Sequence, residues 1–218
     1  AQLHAGGWLG GDPLDRLDIV LEGGSVESNG AGTLLTTTRC LLNGRRNPGL
    51  DQATLETRLR EALGAHTVHW LDHGELLGDD TDGHIDTLVR FVDKTTLVYQ
   101  GCDDENDAHY KTLAELARVL SGLTTADGGA YRRIALPLPA PQYDPDDGHR
   151  LPAGYANFLI ANGCILMPAF ADPADDIAAA RLAECFPDRR LIRIDSRALI
   201  RQHGGLHCAA MQIPALPI

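Results

Sequence analysis

One order of local patterns, hairpin then helix then strand, recurs three times along this chain and constrains its fold more than any single motif. The hairpins open near Thr33, His84 and Tyr155, a period of roughly 50–70 residues. In the first unit, strands at Ser25–Ser28 and Thr33–Thr38 flank the turn Asn29-Gly30-Ala31-Gly32. Asp51 then caps a helix whose Leu55, Leu59 and Leu63 recur every four residues, Gly64 ends it, and Thr67–Leu71 is a short buried strand. The second unit reads as a strand from His84 to Val92, a turn at Asp93-Lys94, a strand at Thr96–Gln100, a helix over Ala108–Leu120 and a strand at Arg132–Leu136. The proline-rich connection Pro137–Pro152 leads to the third: a hairpin of Tyr155–Ile160 and Cys164–Met167, a helix opening at Asp172-Pro173, and a strand at Leu191–Ile194. Ahead of them, Leu17–Leu21 reads as a strand, and Trp8 is the only large anchor in a glycine-rich start. A unit that cannot bury its own face stacks on its neighbours or closes into a ring. Three units with partial ones at each end predict an α/β ring that does not close.

Composition narrows the function classes. With 218 residues, 44% of them apolar and 22% charged, the chain reads as one globular domain, 1–218, able to bury roughly 70% of its unfolded surface. No apolar run reaches the ~18–20 residues that span a bilayer, and no charged-then-apolar leader opens the chain. The net charge of −11 repels phosphate backbones and favours a small cation, so neither nucleic acid nor membrane is an expected partner. The five cysteines, Cys40, Cys102, Cys164, Cys185 and Cys208, are odd in number, widely spaced and free of any C-x-x-C, which argues for a reducing cytoplasm over disulfides or structural zinc. His66, His69 and His73 straddle a strand without a neighbouring Cys or Glu, a poor metal pattern. No cofactor is expected.

Two stretches carry the reactive side chains. Gly78-Asp79-Asp80-Thr81-Asp82-Gly83-His84-Ile85-Asp86 runs from an acidic loop into an apolar run. If the strand starts at His84, a period of two puts His84 and Asp86 on one face, where loop meets strand. The alternative is a solvated acidic turn. The second stretch, His203-Gly204-Gly205-Leu206-His207-Cys208, sets a thiol among glycines that let backbone approach a ligand closely. Cys with His forms the nucleophile and base of many acyl- and amidino-transfer sites, although a lone Cys is more often a small core hydrophobe.

Read in order, the motifs resemble the C-terminal part of the agmatine deiminase family, which includes the bacterial-type peptidyl-arginine deiminases. They are Leu21-Glu22-Gly23-Gly24-Ser25, Gly32-Thr33-Leu34-Leu35-Thr36-Thr37, Cys40-Leu41-Leu42-Asn43 with Arg46-Asn47-Pro48, and the Asp79–Asp86 run. Tyr155-Ala156-Asn157-Phe158, Pro168-Ala169-Phe170 with Asp172, Phe186-Pro187-Asp188-Arg189 and Gly204–Cys208 continue the series. The resemblance implies a pseudo-fivefold ββαβ propeller, the pentein fold, and metal-free hydrolysis of a guanidinium to a ureido group and ammonia. It implies Cys208 as nucleophile, His84 as general acid/base, Asp86 and Glu22 as carboxylates at the guanidinium, and Asp82, Thr81 and Gly205 as further substrate-binding positions.

Two departures from the family qualify that expectation. No Arg-Asp-x-Gly-Pro motif, which in the family supplies another guanidinium-binding Asp, precedes Trp8, and Ala209-Ala210-Met211-Gln212 replaces the usual residues after the nucleophile. Little turnover is therefore expected of residues 1–218 alone, with agmatine the substrate of the full-length protein and free or peptidyl arginine the alternative. An amidinotransferase is a further enzyme class, and a non-catalytic assembly subunit a different one, because an open ring exposes strand edges and faces that invite self-association. Arg45 and Arg46 are candidates for a substrate carboxylate, with a solvated loop the simpler reading.

Overall fold

A computed structural model describes residues 17–212, and Trp8 lies outside them. Among the described residues nine strands form three separate three-stranded sheets, each in sequence order. In the first, β1 (Val26–Ser28) pairs antiparallel with β2 (Thr33–Thr37), and α1 (Gln52–Leu63) returns the chain to β3 (Thr67–Leu71), parallel to β2. The second repeats this with β4 (Val89–Phe91), β5 (Thr96–Gln100), α2 (Tyr110–Ser121) and β6 (Arg132–Leu136). The third does so with β7 (Leu159–Ala161), β8 (Cys164–Ala169), α3 (Ala174–Cys185) and β9 (Arg190–Asp195). The threefold recurrence is thus present as three ββαβ units.

Helix ends follow the capping signals. The Asp51 carboxylate accepts from Thr54 N, and Gly64 closes α1 in the left-handed conformation at φ 64°. Leu55 and Leu59 face inward, while Leu63 is left 48% exposed. Alternation along the strands shares each sheet between two cores. Leu34 packs with Leu55 and Leu59 under α1, while its neighbour Leu35 joins Leu88, Leu97 and Leu116 in the core of the second unit. In the second sheet, Leu97 stays with α2 and Val98 joins Phe158, Ile165 and Leu182 of the third unit. Each unit therefore buries one face of the sheet before it, as stacking predicts.

Polar ties reinforce the stack. Arg90 on β4 donates through Nε to Glu27 on β1 at 2.8 Å and through a terminal nitrogen to Phe158 O at 2.6 Å, so one guanidinium joins all three units. The buried Gln100 side chain accepts from Tyr155 N at 2.8 Å and donates to Pro137 O at 2.7 Å.

Three local readings are corrected. Leu17–Leu21 is irregular chain rather than strand, although Ile19 and Leu21 still pack on the first core. The segment from His84 is a 3-10 turn over Ile85–Thr87, and the strand starts only at Val89. Thr87 Oγ1 and Leu88 N bond back to His84 O and Ile85 O, local partners that win over a ladder. Similarly, Tyr155–Phe158 is not strand, because the Tyr155 and Asn157 side chains and backbone are committed to long-range partners.

Candidate active site

A cleft of about 1070 Å³ is lined by Glu22, Gly24, Thr81, His84, Asp86, His207 and Cys208, among others. The two reactive stretches, 121 residues apart, meet there: His207 Nδ1 donates to Asp86 Oδ2 at 2.7 Å, and Cys208 Sγ lies 3.6 Å from the same oxygen. Asp86 is completely buried, and its other oxygen, Oδ1, has no hydrogen-bond partner among the described residues. A buried carboxylate oxygen without a donor is costly, so Asp86 holds an acceptor in reserve beside the thiol.

His84 faces the same point from the other side. A Cβ placed on Gly24 would stand 2.6 Å from His84 Nδ1 and 2.8 Å from Asp86 Oδ2, so only glycine lets the backbone pass here. His84 Nε2 is 2.5 Å from Glu22 Oε2. Because an ionised carboxylate only accepts, Nε2 carries the proton in that pair and Nδ1 is the nitrogen left facing the cleft. Thr81 Oγ1 accepts from His84 N at 3.0 Å while donating to Asp79 at 2.6 Å, which fixes the turn that presents the imidazole. Burial works against the Glu22 carboxylate, yet His84 and Arg46 overcome it and hold the group below its usual range.

Asn157, in the sequence only one residue of a motif, organises the loop that carries Cys208. Its Oδ1 accepts from His207 N at 2.9 Å and Cys208 N at 3.4 Å, and its Nδ2 stands 3.2 Å from the sulfur. Gly205 does not line the cleft; its role is clearance, since a Cβ there would come within 2.4 Å of Asn157 Oδ1. Although residue 208 as a whole is open to solvent, its sulfur is enclosed. That enclosure and the Asp86 charge push the thiol up to about 11, against a weaker downward pull from Gly205 and Asn157.

Asp82 also lies off the cleft. Its carboxylate accepts from Arg46 at 2.7 Å and Asn43 at 3.0 Å. The loop reading of Arg46 is corrected by the same contacts: the guanidinium bridges Asp82, Thr81 O and Glu22, whereas Arg45 is exposed. Cys40, read as an ordinary core or surface thiol, is buried with its sulfur close to Glu22 and His84. The signal for Arg46 and Cys40 lay in their shared motif before α1; nothing in the local pattern pointed either of them at His84.

Fold and site together define a class: a stack of ββαβ units whose successive turns gather a thiol, two imidazoles and two carboxylates into one acidic cleft. The Porphyromonas-type peptidyl-arginine deiminase family model matches residues 7–214, and the chain belongs to that family. Agmatine deiminase of Pseudomonas putida strain F1 is 39% identical over 90% of this chain and 58% of its own length. The agmatine deiminase of Stutzerimonas stutzeri strain A1501 gives the same figures. A Cys-to-Ser variant of C. jejuni agmatine deiminase with substrate bound superposes at a TM-score of 0.90 with 37% identity, covering 99% of this chain and 62% of that one. The chain therefore spans less than two thirds of the length of these relatives.

Proposed function

We propose that the cleft hydrolyses a guanidinium, converting agmatine to N-carbamoylputrescine and ammonia, with Cys208 as nucleophile. The observation that carries this reading is Asp86: buried, 3.6 Å from the thiol, and holding one unpartnered acceptor oxygen. A flat, permanently charged cation with N–H donors in its plane supplies what that oxygen lacks. Glu22 Oε2 is occupied by Arg46 and His84, which leaves its other oxygen for the substrate's far side.

The chemistry follows from the charges. In the free protein the raised Cys208 value keeps the thiol neutral. A bound guanidinium offsets the Asp86 charge and lowers that value, so the thiolate forms only in the complex. Its lone pair attacks the guanidinium carbon, forming the C–S bond. His84 Nδ1, having taken the proton that the thiol gives up, passes it to the departing nitrogen, the C–N bond breaks, and ammonia leaves a thiouronium. Water then attacks the same carbon as His84 takes its proton, and the C–S bond breaks to release the ureido product. Such transfers contribute roughly 10²–10⁴ in rate. Asn157 and His207 position the sulfur and Asp86.

Part of a pseudo-fivefold ring is the architecture that goes with this reading, in which the further units of a full-length protein complete the cleft. Residues 1–218 alone are therefore expected to turn over little. Ammonia release from agmatine and from arginine, measured on this chain and on a version extended to the relatives' length, tests both statements. Turnover confined to the extended chain and to agmatine supports them; full rates from residues 1–218 sink the first, and a preference for arginine the second. Among the described residues, the face of the third sheet that carries Leu159, Leu166 and Ile192 side by side and only half-buried also suits self-association.

A further inference from the structure

Beside the His84 ring lies Cys40, a buried thiol that the hydrolysis does not use. Among the described residues, one group of three or more metal-ligating side chains brings its donor atoms together: Glu22, Cys40 and His84, all within 4.8 Å of one another. Cys40 and His84 are buried and Glu22 is half-buried, so two of the three donors are already withdrawn from water. We propose that these three side chains form a binding site for a borderline-soft divalent cation of the zinc type, distinct from Cys208.

The donor set is the argument. A thiolate, an imidazole and a carboxylate are the ligand types that zinc takes in four-coordinate sites, with solvent in the fourth position. Magnesium and calcium want oxygen cages and would leave the sulfur unused. Burial above all, with Glu22, Asp82 and Asp79 outweighing Arg46, holds the Cys40 thiol up at about 12; the same carboxylates favour a cation, which has to displace that proton to bind. Ligation through His84 Nε2 shifts that nitrogen's proton to Nδ1 and releases the Cys40 thiol proton to solvent, and nothing is oxidised. Glu22, the half-exposed member of the pair, swings from its 2.5 Å contact with the buried His84 to admit the ion. With His84 and Glu22 both engaged, the reaction loses its proton carrier and a guanidinium one of its carboxylates, so occupancy switches the cleft off. That consequence alone rests on the reading of the cleft as a deiminase; the binding does not.

Titration with cobalt(II), the spectroscopic stand-in for zinc, tests the site without any turnover. We expect one equivalent to bind with a thiolate-to-cobalt charge-transfer band in the near ultraviolet. The band should persist in Cys208→Ser, vanish in Cys40→Ala, and require more than roughly tenfold higher cobalt in Glu22→Gln. Cys40 sits in the core of the first unit, so circular dichroism must show Cys40→Ala folded; if it is not, Glu22→Gln carries the test because Glu22 is outside that core. A band that disappears in Cys208→Ser, that is unmoved in Glu22→Gln, or that never forms overturns the proposal.

Discussion

At the scale of single residues the balance of charge around one sulfur decides the behaviour of the site. Asp86 raises the Cys208 value and Asn157 lowers it, so their removal should act in opposite directions. Alkylation of Cys208 by iodoacetamide, followed against pH, should rise with a midpoint near the value of about 11 set by its surroundings. Asp86→Asn should move that midpoint down and speed alkylation at mildly alkaline pH, and in the extended chain it should abolish ammonia release. Asn157→Ala should move it up and slow alkylation. A midpoint near the ordinary cysteine value of 9.0 in the parent protein would contradict the enclosure of the sulfur. Much of this was legible beforehand: Cys208, His84, Asp86 and Glu22 were singled out from their motifs, and all four line the cleft. Asp82 and Gly205, expected at the substrate, do not line the cleft: Asp82 is held by Arg46, and Gly205 passes close against Asn157.

Among the elements, the start of α2 is held by a polar cluster that the sequence did not announce. Asp107 accepts from Arg150 at 2.7 Å and from His109 Nδ1 at 2.8 Å, tying the proline-rich connection to the helix it crosses. Burial opposes the Asp107 charge, but Arg150 and the His109 contacts outweigh it and hold the group down to about 2. Its stabilising effect is therefore fully present above the ordinary value of 3.8 and lost as pH falls through about 2. Thermal melting should show Asp107→Asn less stable by roughly 1–3 kcal/mol at neutral pH, with the gap closing as the parent is acidified. A gap that stays constant down to strong acid would remove the ion pair from the explanation. The element boundaries that the sequence misplaced have one cause. At Leu17–Leu21, His84–Leu88 and Tyr155–Phe158 the residues look apolar enough for strands, yet their hydrogen bonds go to turns and distant side chains.

For the whole molecule, stability concentrates where the three units meet. Glu27 and Arg90 are both buried, and Glu27 also accepts from Phe91 N at 3.0 Å. Removing the acid leaves a buried guanidinium without its counter-charge, so Glu27→Ala should cost about 3–5 kcal/mol in urea unfolding. A loss below ~1 kcal/mol would mean that the junction is hydrated rather than sealed. The face of the third sheet that carries Leu159, Leu166 and Ile192 belongs to the same scale. Light scattering should find the chain larger than a monomer, and Leu166→Glu should return it to one; a monomeric parent would refute self-association through this face.

By itself the sequence determined the repeated unit, the caps that start and stop α1, the acidic balance and the two stretches that hold the reactive groups. These are local matters, decided by periodicity, backbone freedom and side-chain type within a few residues. Only the tertiary structure decided which polar groups meet. Residues 22, 40, 46, 84, 157 and 208 converge because each sheet packs on the next, and no local pattern encodes which side chain across that junction becomes a partner, a support or a rival for the same oxygen.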